Sequence, residues 1–177
     1  MPKNVDRVMT LDFESSSLSP DSWPIEVGLS WIAHDQVCTW SSLICPAPSW
    51  DPDDWSSVSS GIHNIPYSAI IAAPAATQVA HALYDRISGR QLVSDNPAFE
   101  MRWARKLMKL IGVPTPLVHD FDNLVHEVFR DHSVVLDHLY EKMEKIPHPH
   151  RAGDDSRRLA RALLHGTGLT GQPHQAR

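Results

Sequence analysis

The chain is poor in cysteine: Cys38 and Cys45 are the only two in 177 residues. Their spacing matches no metal or redox motif, and two cysteines make no disulfide framework. Long apolar runs are also missing. None reaches the roughly 18 residues that a membrane span needs, so no membrane association is expected. The opening Met1-Pro2-Lys3-Asn4-Val5-Asp6 lacks the apolar centre of a signal peptide, which leads to the expectation of a cytoplasmic protein. Nor is there an excess of basic charge. Lys+Arg number 16 against 21 Asp+Glu, for a net charge of -5 and a pI near 6.1. A polycation that coats nucleic acid non-specifically is thereby excluded, although a local basic patch is not. No internal repeat is visible. At 42% hydrophobic and 21% charged residues, the length suits one globular domain with a core large enough to fold alone.

Apolar periodicity divides the chain into elements. Val5 to Glu14 reads as a strand that ends in acidic residues, followed by loop chemistry over Ser15-Ser16-Ser17-Leu18-Ser19-Pro20-Asp21. Ile25 to Ala33 and Val37 to Ile44 are rich in β-branched and aromatic residues, and His34-Asp35-Gln36 between them reads as a hairpin. Cys45 to Ser60, with three prolines and Asp51, Asp53 and Asp54, reads as an exposed loop tethered by Trp50 and Trp55. Val79, Ala82, Leu83 and Ile87 fall at helical spacing, with Gly89 as the stop. Leu92-Val93 is a short strand, Ala98 to Ile111 a strong helix, and Leu117-Val118-His119 another short strand. Helical runs follow from Phe121 to Phe129 and from Val134 to Ile146, and a last helix passes through Asp155, Leu159 and Leu163. The domain is expected to span residues 1–165, with a disordered tail over 166–177 rich in glycine. This order predicts an α/β fold, a mixed sheet flanked by helices, whose site collects at strand ends and helix starts.

The acidic residues at those ends carry the chemistry. Asp12 and Glu14 lie two apart on a strand, so a period of two sends both carboxylates to one face. Adjacent anions raise one another's pKa unless a cation sits between them. Mg²⁺ or Mn²⁺ suits an all-oxygen set. Taken alone, the spacing also fits a solvated strand end.

The wider pattern is more specific. Asp12-Phe13-Glu14-Ser15-Ser16-Ser17-Leu18 resembles the first motif, D-x-E-T-T-G-L, of the DnaQ-like, DEDDh-type 3′→5′ exonucleases of the RNase H-like superfamily. Ile25-Glu26-Val27-Gly28 sits where that family carries an I-x-E-I-G strand, and Ile62-His63-Asn64-Ile65 is similar to its H-G-I segment. Leu92 to Glu100 resembles the second motif, V-x-H-N-A-x-F-D, and His150 with Asp155 matches the third, H-x-x-x-x-D. The matches keep the family's order and cover nearly the whole chain. There are departures: Asp95 stands where the family has His, and Glu100 where it has its metal-binding Asp. Register nominates Glu100, residue identity nominates Asp95, and both are kept. Ser17 replaces a Gly, and Ser156 an Ala.

The resemblance implies an RNase H-like domain that removes nucleotides from single-stranded RNA or DNA 3′ ends with two Mg²⁺ or Mn²⁺ ions. Asp12 would bridge the ions, Glu14 and Asp155 would hold the one on the nucleophile side, and Asp95 or Glu100 would serve the other. His150 would take the proton of the attacking water, a role that a near-neutral imidazole suits. Leu18 and the backbone around Ser15 would meet the last base, and His63 and Asn96 the terminal nucleotide. His148, at the wrong spacing from Asp155, reads as a loop residue. Arg102, Arg105, Lys106 and Lys109 form a basic helix face, and Arg151, Arg157, Arg158 and Arg161 are better placed to meet nucleic acid. Two other readings stand beside this one: a catalytically weak or inactive nuclease fold that binds nucleic acid or protein, and an RNase H-type endonuclease. The sequence leaves the oligomeric state open, a homodimer included.

Overall fold

The computed structural model describes residues 5–170. A 3-10 turn over Val5–Arg7 leads into strand β1 (Val8–Ser15), which is followed by β2 (Pro24–Ala33) and β3 (Gln36–Leu43). Two short helices, α1 (Ser57–His63) and α2 (Tyr67–Ile71), precede α3 (Ala76–Ile87). Then come β4 (Gln91–Ser94), α4 (Pro97–Leu110), β5 (Val118–Asp120), α5 (Phe121–Val128), α6 (Ser133–Lys145) and α7 (Ala152–Thr170). The strands form one five-stranded sheet in the order β3-β2-β1-β4-β5. The β1–β2 and β2–β3 pairs are antiparallel, and the β1–β4 and β4–β5 pairs are parallel. This mixed sheet between helical layers is the α/β architecture that the order of elements predicts, and it is consistent with the RNase H-like fold that the resemblance implies.

Local chemistry explains the main elements. His34 and Asp35 both take positive φ, 50° and 57°, as a two-residue hairpin of matching twist demands. Pro97 opens α4 at a position where its missing N–H is not needed. Asp120 caps α5 by accepting the Asn123 amide at 2.8 Å. Alternation along β1 sends Met9, Leu11 and Phe13 into a core shared with Val79 and Leu83 of α3 and Trp103 and Leu107 of α4. The residues between them face α7, where the Thr10 hydroxyl donates to the Ser156 carbonyl at 2.7 Å. A second core on that side joins Phe121, Phe129, Leu139, Leu159 and Leu163.

Helix α7 lies directly on the sheet because nothing protrudes from Gly28. A Cβ there would stand 2.0 Å from the Ala152 carbonyl oxygen, inside any allowed contact. Gly28 pairs with Asp12 across β1 and β2, so the first turn of α7 rests beside the acidic end of β1. Ser156, buried in that seam, shares a hydrogen bond with Ser30 at 3.0 Å. Its hydroxyl thereby finds a partner where an Ala would need none.

Three expectations need correction. The last helix runs to Thr170, past the boundary at residue 165. Gly166 is buried against Phe129 and Leu139, where a Cβ would come within 2.8 Å of the Phe129 ring. The glycine serves a close helix crossing instead of ending the helix, and tertiary packing overrides its poor helix propensity. Residues 171–177 of the expected tail lie outside the described residues. The loop expected over Cys45 to Ser60 gives way to α1 at Ser57, whose N-cap Ser56 accepts the Ser59 amide at 3.3 Å. Its neighbour α2 is only five residues long, too short to show a helical period in the sequence. The first strand, expected from Val5, begins at Val8.

Candidate nuclease site

At the end of β1, Asp12 and Glu14 both project toward α7, as their spacing predicts. Asp155, in the first turn of α7, meets them there. Ligand oxygens of Asp12, Glu14 and Asp155 all lie within 4.8 Å of one another. Asp155 is 5% exposed, and its Oδ1 has no hydrogen-bond partner. Its Oδ2 accepts the Arg151 amide at 3.1 Å. Glu100, in the first turn of α4, is 3% exposed, and its Oε2 likewise lacks a partner. Asp95 follows β4 and is exposed.

The electrostatics follow from this crowding. Burial pushes the Asp12 carboxyl well above the usual range, and the charges of Glu14, Asp155, Asp95 and Glu26 push it further. Burial, then Asp155 and Glu26, raise Glu14 to about 8, with Arg151 opposing. Glu100 is raised by burial and by Asp12, Asp95 and Glu14, against a hydrogen bond from the Phe13 backbone. Asp155 is raised by burial and held back by His148, the Arg151 amide, His150 and Arg158. Carboxyls this close and this buried stabilise their charged forms only when a cation joins them. Unpartnered, buried oxygens on Asp155 and Glu100 and an all-oxygen donor set fit a hard divalent ion. The residues present therefore suit the metal chemistry expected of this fold.

The other expected site residues fall at varied places. His150 is exposed on the loop before α7, in left-handed backbone at φ 54°. His148, set aside on spacing, is the nearer imidazole: its Nε2 lies 3.3 Å from Asp155 Oδ2. Ser15 is buried and donates its hydroxyl to the Ser17 carbonyl at 2.7 Å. Leu18 is 67% exposed at the tip of that loop. Asn96 is exposed at the N-cap of α4. His63 is 2% exposed; its Nδ1 accepts the Ile65 amide at 3.0 Å, while its Nε2 has no partner. The Trp55 ring meets His63 edge-on at 5.8 Å, and burial lowers the imidazole's pKa.

Glu26 and Arg151 have a structural part that spacing does not reveal. Arg151 forks onto the Glu26 carboxylate with contacts of 2.8 and 2.9 Å, and the Ala152 amide adds a third hydrogen bond at 3.1 Å. Glu26 therefore clamps the start of α7, between His150 and Asp155, onto β2. The Ile25-Glu26-Val27-Gly28 segment contained the signal, but a partner 125 residues away is invisible to it. The arginines expected to meet nucleic acid are partly engaged internally. Arg157 contacts Asp154 and Thr39, and the Arg158 Nε donates to the Met143 carbonyl at 3.1 Å. On α4, Arg102 lies over the Phe99 and Trp103 rings, at 4.6 and 5.2 Å, and so is not a free basic residue. Asp54, expected to be solvated, accepts the Ser17 and Ser19 hydroxyls and straps the loop that bears Leu18. Trp50 and Trp55 do tether their loop, packing on buried Trp23 at 6.1 and 6.0 Å.

No family model and no curated protein matches the chain in sequence. Solved structures do match in fold. The nuclease domain of 3'hExo, a DEDDh family member bound to rAMP, superposes with a TM-score of 0.69 at 17% identity, covering 97% of this chain and 96% of that one. A 3'-exonuclease that recognises the histone mRNA stem-loop gives 0.65 at 16% identity, over 96% and 84% of the two chains. Exonuclease X in complex with 5' overhanging duplex DNA gives 0.55 at 17% identity, over 94% of each. The chain thus shares the fold of DEDDh-type 3′-exonucleases along nearly its whole length. No helix among the described residues is long and apolar enough to cross a membrane.

Proposed function

We propose that this protein is a metal-dependent 3′→5′ exonuclease acting on single-stranded ends of RNA or DNA. The observation that carries the reading is the convergence of Asp12, Glu14 and Asp155 within 4.8 Å, from a strand end and a distant helix start. Partly buried carboxylates brought together from β1 and α7 without a compensating cation serve no structural purpose, since each raises the cost of ionising the others.

Asp12, clustered with Glu14 and Asp155 and felt by Glu100, would be shared between two ions, with Glu14 and Asp155 on one side. Glu100, buried and with an unpartnered oxygen, would serve the other side, with Asp95 reaching it through water. When bound, Mg²⁺ or Mn²⁺ ions lower the pKa of water and neutralise charge that develops at the phosphate. His150 accepts the proton of the attacking water; the water oxygen bonds to phosphorus as the bond to the leaving O3′ breaks. The terminal nucleotide departs as a 5′-monophosphate. His150 sits on an exposed loop with room to approach a strand end, while Glu26 and Arg151 anchor the next residues of the chain. Leu18 would wedge against the last base. Ser15, His63 and Asn96 would line the terminal nucleotide, His63 through its free Nε2.

The test is a 5′-labelled single-stranded RNA and a matched DNA, each incubated with Mg²⁺ or Mn²⁺ and either wild-type protein or Asp12→Ala. Stepwise shortening that disappears in the variant is expected. Binding without shortening would instead identify a nucleic-acid-binding module, a reading favoured by the irregular second motif, with Asp95 in place of the family's His and Glu100 in place of its Asp. Internal cuts in a circular substrate would identify an endonuclease.

A further inference from the structure

The loop before α7 holds a second set of metal-ligating atoms. Nitrogens of His148 and His150 and a carboxylate oxygen of Asp155 all lie within 4.8 Å of one another. The His148 Nε2 stands 3.3 Å from Asp155 Oδ2, and the two imidazole rings are 4.4 Å apart between centroids. Pro147 and Pro149 flank His148 and restrict φ on both sides of it, and His150 holds a left-handed backbone. This conformation brings the two rings to the same side as Asp155. Asp155 is buried at 5% exposure and keeps an unpartnered Oδ1.

We propose that His148, His150 and Asp155 form a site for Zn²⁺, distinct in donor chemistry from the all-oxygen cluster but sharing Asp155 with it. Two imidazoles and one carboxylate are a donor set that first-row transition ions favour and Mg²⁺ does not. Zn²⁺ takes nitrogen at about 2.0–2.1 Å and carboxylate oxygen at about 2.0–2.2 Å, so donors around one ion stand roughly 3–4 Å apart. The observed spacing needs only a small closure of an exposed loop. Three protein ligands leave a fourth position for water. A bound Zn²⁺ occupies a nitrogen of His150 and draws Asp155 away from Asp12 and Glu14. On the exonuclease reading, this removes the proton acceptor and one ligand together, so the ion acts as an inhibitor. In the proposed hydrolysis His148 neither takes the proton nor holds an ion; its contact is with Asp155, 3.3 Å away.

The test titrates metal-free protein with ZnCl₂ against a chromophoric chelator, for wild type, His148→Ala and, as a control exposed histidine, His126→Ala. Wild type and His126→Ala are expected to bind with equal affinity, and His148→Ala at least about 10-fold more weakly, the range for losing a metal-site contact. In oligonucleotide cleavage with Mn²⁺, each protein is scored against its own zinc-free rate, and His148→Ala is expected to need about 10-fold more Zn²⁺ for half-inhibition. Equal affinity of His148→Ala and wild type, or no binding by wild type, overturns the proposal. Failure of both proteins to cleave would overturn the exonuclease reading while the titration still decides the zinc site.

Discussion

Glu100 and Asp95 compete for one role, and burial separates them. Glu100 is enclosed beside Asp12 with a free oxygen, whereas Asp95 is exposed after β4. Replacing an outer contact costs about 10–100-fold in affinity or rate, and an inner ligand costs more. Glu100→Gln is therefore expected to lower turnover on a labelled oligonucleotide by more than about 100-fold, and Asp95→Asn by about 10-fold. The reverse order would assign the ligand to Asp95. Glu26 and Arg151 act differently, through position. Arg151→Ala leaves the Glu26 carboxylate, 4% exposed, with only the Ala152 amide as partner. A buried charge that loses its partner costs about 1–3 kcal/mol or more, so urea unfolding should show a loss of about 2 kcal/mol. Arg151 is itself 43% exposed, which keeps the figure below that of a fully buried pair.

Helix α7 is the element on which the site depends, since it carries Asp155 and its first turn anchors the His150 loop. Its seat on the sheet rests on Gly28. Gly28→Ala drives a Cβ into the Ala152 backbone, which cannot rotate aside as a side chain could. The expected loss of stability is about 3 kcal/mol, at the upper end for overpacking, together with weakened divalent-ion binding as Asp155 shifts. Gly168→Ala, on the same helix but in open space, is expected to stabilise by up to about 1 kcal/mol through helix propensity alone. Thermal and urea melts of the two variants, with and without Mn²⁺, check the contrast.

Across the whole molecule, the carboxyl cluster links stability to pH. Glu14 titrates near 8 in the folded chain and near 4.5 when unfolded, so the folded state holds the extra proton between those values. Metal-free protein should therefore lose stability as pH rises from about 4.5 to about 8, opposite to the usual behaviour of ion-paired carboxylates. Asp12, Glu100 and Asp155 shift in the same direction and reinforce the trend. A divalent ion binds the ionised forms, so the rise in melting temperature on adding Mg²⁺ or Mn²⁺ should be larger at pH 8.5 than at pH 6. A metal-induced rise that is independent of pH would place the ion away from these carboxyls.

Periodic features were legible along the chain. The strand over Asp12 and Glu14, the His34–Asp35 hairpin and α4 each depend on neighbours a few residues away, and alternation alone put both carboxylates on one face. The pairing of β1 with β4, the seat of α7 on Gly28 and the clamp of Arg151 on Glu26 join segments far apart, which no local pattern encodes. The same limit applies to Gly166, which composition assigns to a disordered tail and which in the folded chain packs within α7 against Phe129. His148 was set aside on spacing and stands beside Asp155 because the chain turns back at His150. Local hydrogen bonding and side-chain periodicity are written in residue order. Burial, charge crowding and steric clearance are properties of space, and arise only once distant segments pack together.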